Sequence, residues 1–143
     1  MVYDTNVLIY AVDDRSEFHD ACLRRVESVR MGHTLGFLTW NICYEFLRVT
    51  SHPRVLSNPW NLSDGARFLT QLLEDPGFHL LHHTEYHLSV LFQITQEFPE
   101  IRGNLVHDMH TAILMREHSI SQICTMDSDF RRFPFIEVID PRQ

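Results

Sequence analysis

"MVYDTNVLIYAVDD", residues 1–14, sets Asp4 inside an otherwise apolar stretch, and the way the chain handles that carboxylate decides the fold. An ionised carboxylate among apolar neighbours is costly unless something pairs with it. "MVYD" reads as a short strand whose chain turns at Asp4 into a helical run over residues 5–11. Asp4 then sits at the carboxyl end of a strand, the edge where open α/β sheets gather their ligands.

The rest of the chain continues the alternation. Phe18, Ala21, Cys22, Val26 and Val29 recur at helical spacing, with Ser16 as the expected N-cap. "TLGFLT" (34–39) is a strand candidate, followed by a helix through "WNICYEFLRVT" (40–50) that Pro53 closes. Residues 52–61 read as a loop with two prolines, and "LSDGARFLTQLLED" (62–75) as a helix. "FHLLHH" (78–83) is a strand candidate, and "TEYHLSVLFQITQEF" (84–98) a helix capped by Thr84. "GNLVHDMHTAILMREH" (103–118) is the most strongly periodic helix. "SQICTMD" (121–127) and "FIEVID" (135–140) are the last strands, separated by "SDFRRFP". Strands alternating with helices predict an α/β sandwich with a mostly parallel sheet.

With 143 residues, no internal repeat and no Gly-, Ser- or Pro-rich linker, residues 1–143 are expected to form a single domain with one core. A hydrophobic content of 44% beside 22% charged residues is ordinary for a soluble globular chain. The apolar run from Val7 to Val12 lacks a basic leader and is not expected to be a signal peptide. No apolar stretch is long enough to span a bilayer, so the expected location is cytoplasmic. Cys22, Cys43 and Cys124 lie among apolar neighbours and read as buried reduced thiols. A net charge of −7 argues against a surface that attracts nucleic acid everywhere and leaves room only for a local basic patch. All twelve basic residues are Arg, whose forked guanidinium suits phosphate, although a genome rich in Arg codons explains the bias equally well.

Four acids fall at inward-looking positions. Asp4 and Asp127 end strand candidates on the same sheet edge, while Glu45 and Asp108 border the apolar stripes of their helices. Each alone is ordinary, and Asp127 in "TMDSDF" reads equally well as a cap. Together they would repel, because no Lys exists to neutralise them and no Arg is expected beside Asp4, Glu45 or Asp108. Such a cluster persists mainly where a cation neutralises it, and an oxygen-only set suits Mg²⁺ or Mn²⁺ with a substrate phosphate.

The order and settings of these acids resemble the PIN-domain nucleases, most closely the VapC-type toxins of type II toxin–antitoxin systems. "YDTNVLIYA" is similar to the family's opening motif, "CYEFLRV" to its second, "NLVHDMHTAILMREH" to its third and "TMDSDFRRFP" to its closing motif. The resemblance implies a three-layer α/β/α sandwich and an endoribonuclease that uses one or two Mg²⁺ or Mn²⁺ ions. Asp4, Glu45, Asp108 and Asp127 are its implied catalytic and metal-binding acids, with Asp129 as a nearby helper and Asn6 and Thr125 in support. Asp127 and Asp129 share one tight turn and compete for the closer ligand position. The resemblance also implies an RNA substrate, often tRNA or rRNA, a homodimer, and inhibition by a cognate antitoxin. Arg131, Arg132, Arg48 and Arg54 are the candidate RNA-binding residues. Asp4→Asn is expected to abolish cleavage and leave the fold intact or stabilised.

Three other readings compete. His79, His82, His83 and His87, with His107 and His110, invite a zinc site, but surface or hydrogen-bonded histidines explain them more simply. His107 and His110 flank Asp108 and stand as neighbours that tune it. A phosphoacceptor receiver domain shares the size and the strand-end acids but needs a Lys that this chain lacks. A PIN-like module that binds RNA or protein without cutting is the remaining alternative, and it gives no reason to keep a repulsive cluster. Phe37, Trp40, Tyr44, Trp60, Phe92 and Phe98 are candidates for stacking bases, with core packing or a protein interface as the simpler explanation.

Overall fold

The computed structural model describes residues 1–56 and 58–143. Its first turn follows from Asp4. Val2 and Tyr3 form strand β1 (Val2–Tyr3), both fully buried, and the chain passes through Asp4 directly into helix α1 (Thr5–Val12). Asp4 is the N-cap: its backbone is extended and its carboxylate accepts from the first helical N–H, at 2.7 Å from Thr5 N.

Helix α2 (His19–Arg30) leads to β2 (Gly36–Leu38); α3 (Trp40–Thr50) and α4 (Leu62–Glu74) lead to β3 (Phe78–Leu80). Helices α5 (His87–Glu97) and α6 (Leu105–Glu117) lead to β4 (Gln122–Cys124), and a 3₁₀ turn (Asp129–Arg132) precedes β5 (Glu137–Ile139). The strands form one sheet in the order β3-β2-β1-β4-β5, and every neighbouring pair is parallel. The chain steps from β1 to β2 to β3 in one direction and then returns to β4. Right-handed crossovers of opposite direction put helices on both faces, giving the α/β/α sandwich. Order reverses between β1 and β4, so the crevice beyond their carboxyl ends is the topological switch point. Asp4 N donates to Cys124 O (3.0 Å) and Thr125 N to Ile139 O (3.1 Å), which carries the pairing up to that crevice.

The strands are shorter than the apolar runs suggest. "TLGFLT" pairs only over Gly36–Leu38, and "SQICTMD" only over Gln122–Cys124. The residues beyond leave the ladder to build loops and caps: Thr39 Oγ1 accepts from Ile42 N and caps α3, and Thr125 turns its hydroxyl to Asp4. Ser16 is not the cap of α2. Its hydroxyl accepts from Phe18 N in a turn ahead of the helix, which begins at His19. Thr84 likewise lies ahead of α5. Its hydroxyl donates to Glu117 Oε1 (2.6 Å) and accepts from Tyr86 N (3.1 Å). All three cysteines are buried free thiols, and burial pushes the Cys22 and Cys43 thiols up to about 11. No helix among the described residues is long and apolar enough to cross a membrane.

Glu117 fastens the start of α5 to the end of α6. Its side chain is wholly buried and accepts from Thr84 N (2.9 Å) and Thr84 Oγ1, while His87 Nδ1 lies 2.6 Å from its other oxygen. Burial pushes this carboxyl up, but the hydrogen bonds from Thr84 and His87 outweigh it and hold the group below the usual range. A depressed folded-state value stabilises above the ordinary carboxylate range, and that stability is lost as pH falls through the folded-state value. Glu117→Gln, which turns an amide towards these donors, should cost about 2–3 kcal/mol at neutral pH. Its difference from wild type in chemical unfolding should shrink on acidification below about pH 4.

Candidate active site

The switch point gathers the five acids, each from a different local device. Asp4 uses both oxygens: Oδ1 accepts from Thr5 N, and Oδ2 accepts from Asn6 Nδ2 (2.7 Å) and Thr125 Oγ1 (2.6 Å). The Thr125 hydroxyl in turn accepts from Asn6 Nδ2 (2.9 Å) and from Asp127 N (3.0 Å), and Met126 N donates to Asn6 Oδ1 (3.2 Å). Asn6 and Thr125 therefore lock Asp4 to the loop that carries Asp127. Burial pushes the Asp4 carboxyl up to about 6 against the pull of Thr125 and Thr5, with Glu45 and Asp127 adding repulsion.

Glu45 comes from α3. Its Oε2 accepts from Thr5 Oγ1 (2.9 Å), so the residue after Asp4 ties the second acid to the first. Its Oε1 lies 3.2 Å from Arg48 Nη2, one helical turn on. The expectation that no Arg accompanies Glu45 is corrected by this pair, since residues i and i+3 of a helix are neighbours. Asp108 lies in the first turn of α6 and makes no hydrogen bond among the described residues. Burial, then the charges of Asp4, Asp127, Asp129 and Glu45, push it up to about 7. Asp127 Oδ1 accepts from Asp129 N (2.8 Å), closing a turn ahead of the 3₁₀ segment, whose N-cap position is Ser128; Asp129 Oδ1 takes a 2.9 Å ion pair from Arg132 Nη2.

A cleft of about 560 Å³ opens over this cluster, lined by Glu45, Asp108, Asp127 and Asp129 together with Asn41, Tyr44, Arg48, Asn104, Leu105 and His107. Asp4 lies behind it rather than on its wall. Of the four arginines, Arg48 reaches the cleft; Arg132 is occupied by Asp129, and neither Arg54 nor Arg131 lines the cavity. Sequence reasoning missed Thr5, Asn41 and Asn104. The signal was available for the asparagines, each four residues before an acid and hence on the same helical face. His107 lines the cleft, while His110 turns towards His87, with ring centroids 5.9 Å apart.

The donor set is all oxygen and lacks a Lys, which fits a hard divalent cation. Among the described residues no three His, Cys, Asp or Glu side chains are already drawn to ligand spacing. Mg²⁺ tolerates that arrangement, because it keeps several waters and takes few protein ligands. The structure also changes one expectation. Asp4 Oδ2 receives two donors, so Asp4→Asn would turn an amide against Asn6 Nδ2 and offset the relief of repulsion.

The PIN domain family model matches residues 1–136. The chain is 32% identical over 139 residues to ribonuclease VapC48 of Mycobacterium tuberculosis, covering 97% of this chain and 95% of that protein. It is 30% identical over 132 residues to ribonuclease VapC37 of Mycobacterium tuberculosis, covering 92% and 90%. Among solved structures, VapBC2 from Rickettsia felis, bound to a DNA fragment from its promoter, shares the fold. The match has a TM-score of 0.67 at 15% identity and covers 97% of this chain and 98% of that one. FitAcB from Neisseria gonorrhoeae gives 0.62 at 15% identity, covering 99% and 97%. A strand-end aspartate locked to the switch-point loop, helical acids on either side and this coverage agree: the chain belongs to the PIN-domain family, among its VapC-type members.

Proposed function

We propose that this chain is the toxin of a toxin–antitoxin pair, a Mg²⁺- or Mn²⁺-dependent endoribonuclease that hydrolyses RNA phosphodiester bonds and is held inactive by a cognate antitoxin. The observation that carries the reading is the convergence of five carboxylates on one crevice, with Asp108 raised to about 7 and left without a hydrogen-bond partner. The names of the relatives, ribonucleases of the VapC type, support the reaction, and the VapBC2 and FitAcB complexes that share the fold support a partner protein.

Asp4, Glu45, Asp108 and Asp127 would hold one or two ions. Asp129, already paired with Arg132, is the weaker donor, so Asp127 takes the closer position. When bound, such a cation lowers the pKa of a water ligand and offsets charge on the phosphate oxygens. Asn6 and Thr125 keep Asp4 in register with Asp127, and Thr5 and Arg48 fix the two oxygens of Glu45. Arg48, exposed on the cleft wall, is placed to take a substrate phosphate, with Arg54 and Arg131 left to serve the flanking backbone and Arg132 held by Asp129. In this reading residues 1–143 act as one cytoplasmic nuclease domain on structured RNA such as tRNA or rRNA. The exposed Tyr86, Leu88 and Phe92 of the α5 region offer apolar area for an antitoxin or a second copy in a homodimer.

Incubating purified protein with total cellular RNA tests the reading. Discrete fragments should form with Mg²⁺ or Mn²⁺ and vanish with EDTA. Intact RNA, with folding and cation binding verified, would instead favour a module that binds without cutting.

A further inference from the structure

The structure sorts the aromatic residues sharply. Trp60 packs against Phe46 and Phe68, with ring centroids 6.0 and 5.8 Å away, and Phe98 packs on Phe133 at 5.2 Å. Phe92 is exposed but stands on α5 and does not line the cleft. Tyr44 differs: it is 68% exposed and lines the acidic cleft. Trp40, one turn earlier on α3 and 50% exposed, has its ring 6.3 Å from that of Tyr44 at 52°. Arg48 continues the same stripe, since positions 40, 44 and 48 are spaced by one helical turn each. Among the described residues neither the Tyr44 hydroxyl nor the Trp40 indole N–H has a hydrogen-bond partner.

We propose that Trp40 and Tyr44 form a stacking platform for an unpaired nucleobase of the RNA, beside the acids, with Arg48 taking the adjoining phosphate. The proposal rests on the nuclease reading and adds to it the role of these two side chains. A paired base inside a helix offers only its edges, whereas an aromatic face is reached only by a base that has left its stack. Asn41 and Asn104, each one turn ahead of a cleft acid, bring amides that donate and accept at a base edge or a 2′-hydroxyl. A purely apolar partner surface has no use for two amides and a guanidinium on its rim, which favours RNA over a second copy of the chain.

Binding separates this proposal from the reaction. Tryptophan fluorescence is titrated with a short single-stranded oligoribonucleotide and with its duplex, using Ca²⁺ in place of Mg²⁺ and checking by gel that the RNA stays intact. The single strand should quench the emission and bind at least about fivefold more tightly than the duplex, because one stacked base contributes about 1–3 kcal/mol. Tyr44→Leu should weaken single-strand binding by about five- to a hundredfold. Tyr44→Phe, which keeps the ring, should stay closer to wild type. In cleavage assays the loss should fall on KM rather than kcat. Unchanged binding by Tyr44→Leu, or equal binding of duplex, would overturn the platform. So would an altered oligomeric state of Tyr44→Leu with RNA affinity intact, which would assign this face to a protein contact. A wild type that binds through Tyr44 but never cuts would refute the nuclease reading and leave the platform standing.

Discussion

Asp108→Asn should cost about a thousandfold in RNA cleavage and yet make the cation-free protein more stable at pH 8. The loss of rate is the scale of several kcal/mol of transition-state stabilisation that a metal ligand supplies. The gain in stability follows from the state of the carboxyl. Asp108 has no hydrogen bond to lose, and burial and the surrounding acids raise it from 3.8 to about 7. A raised folded-state value means that the folded chain holds a proton the unfolded chain has released. Stability therefore falls as pH rises from the ordinary carboxylate range through about 7. The whole shift would correspond to about 4 kcal/mol, which partial solvation and coupling among the acids reduce to about 1–2 kcal/mol. In EDTA, the gap between variant and wild type in denaturant unfolding should open between about pH 4 and pH 8. Mg²⁺ should narrow it by stabilising the wild type more than the variant. A variant less stable than wild type at pH 8 would make Asp108 a structural group.

Thr125→Val should be the most damaging conservative change near the site. The side chain keeps its shape, so no cavity opens, but three hydrogen bonds disappear at a fully buried position. Asp4 loses a donor to its charge, and the Asn6 amide and the Asp127 N–H lose their acceptor. Buried groups left in this way cost about 1–3 kcal/mol each, partly shared within one network, for a total of about 3–4 kcal/mol. Cleavage should fall with stability, since Asp4 and Asp127 lose their common anchor. Thr125→Ser, which keeps the hydroxyl, should recover most of both in paired unfolding and cleavage measurements. Damage by Ser with the Val variant close to wild type would place the role of Thr125 in its methyl group.

Much of this arrangement was legible in the chain because its signals are local. A carboxylate between a two-residue strand and a helix can serve as cap and site together, and Asp4 caps α1 while standing among the switch-point acids. The alternation of apolar runs identified the parallel sheet, but strand ends were drawn too long because periodicity does not say where a residue leaves the ladder for a cap. Thr39 and Thr125 mark two such exits. Ser16 and Thr84 carry the chemistry of caps, yet Ser16 closes a local turn and Thr84 serves Glu117, an acid 33 residues away. That partner is a tertiary fact with no local trace. The Glu45–Arg48 pair and the cleft asparagines could have been read from helical spacing. The bridge from Thr5 to Glu45 could not, because it depends on how α1 packs against α3.

If the switch-point acids hold a divalent cation and cut RNA through it, cation binding and cleavage must fall together when one acid is removed. Calorimetric titration of Mn²⁺ into wild type and Asp108→Asn at pH 8, with single-turnover RNA cleavage measured on the same samples, tests it most directly. Binding by the wild type should be saturable, binding by the variant at least about tenfold weaker, and cleavage should track cation occupancy in both. Equal Mn²⁺ affinity in the two proteins, or cleavage by the wild type undiminished in EDTA, would contradict it.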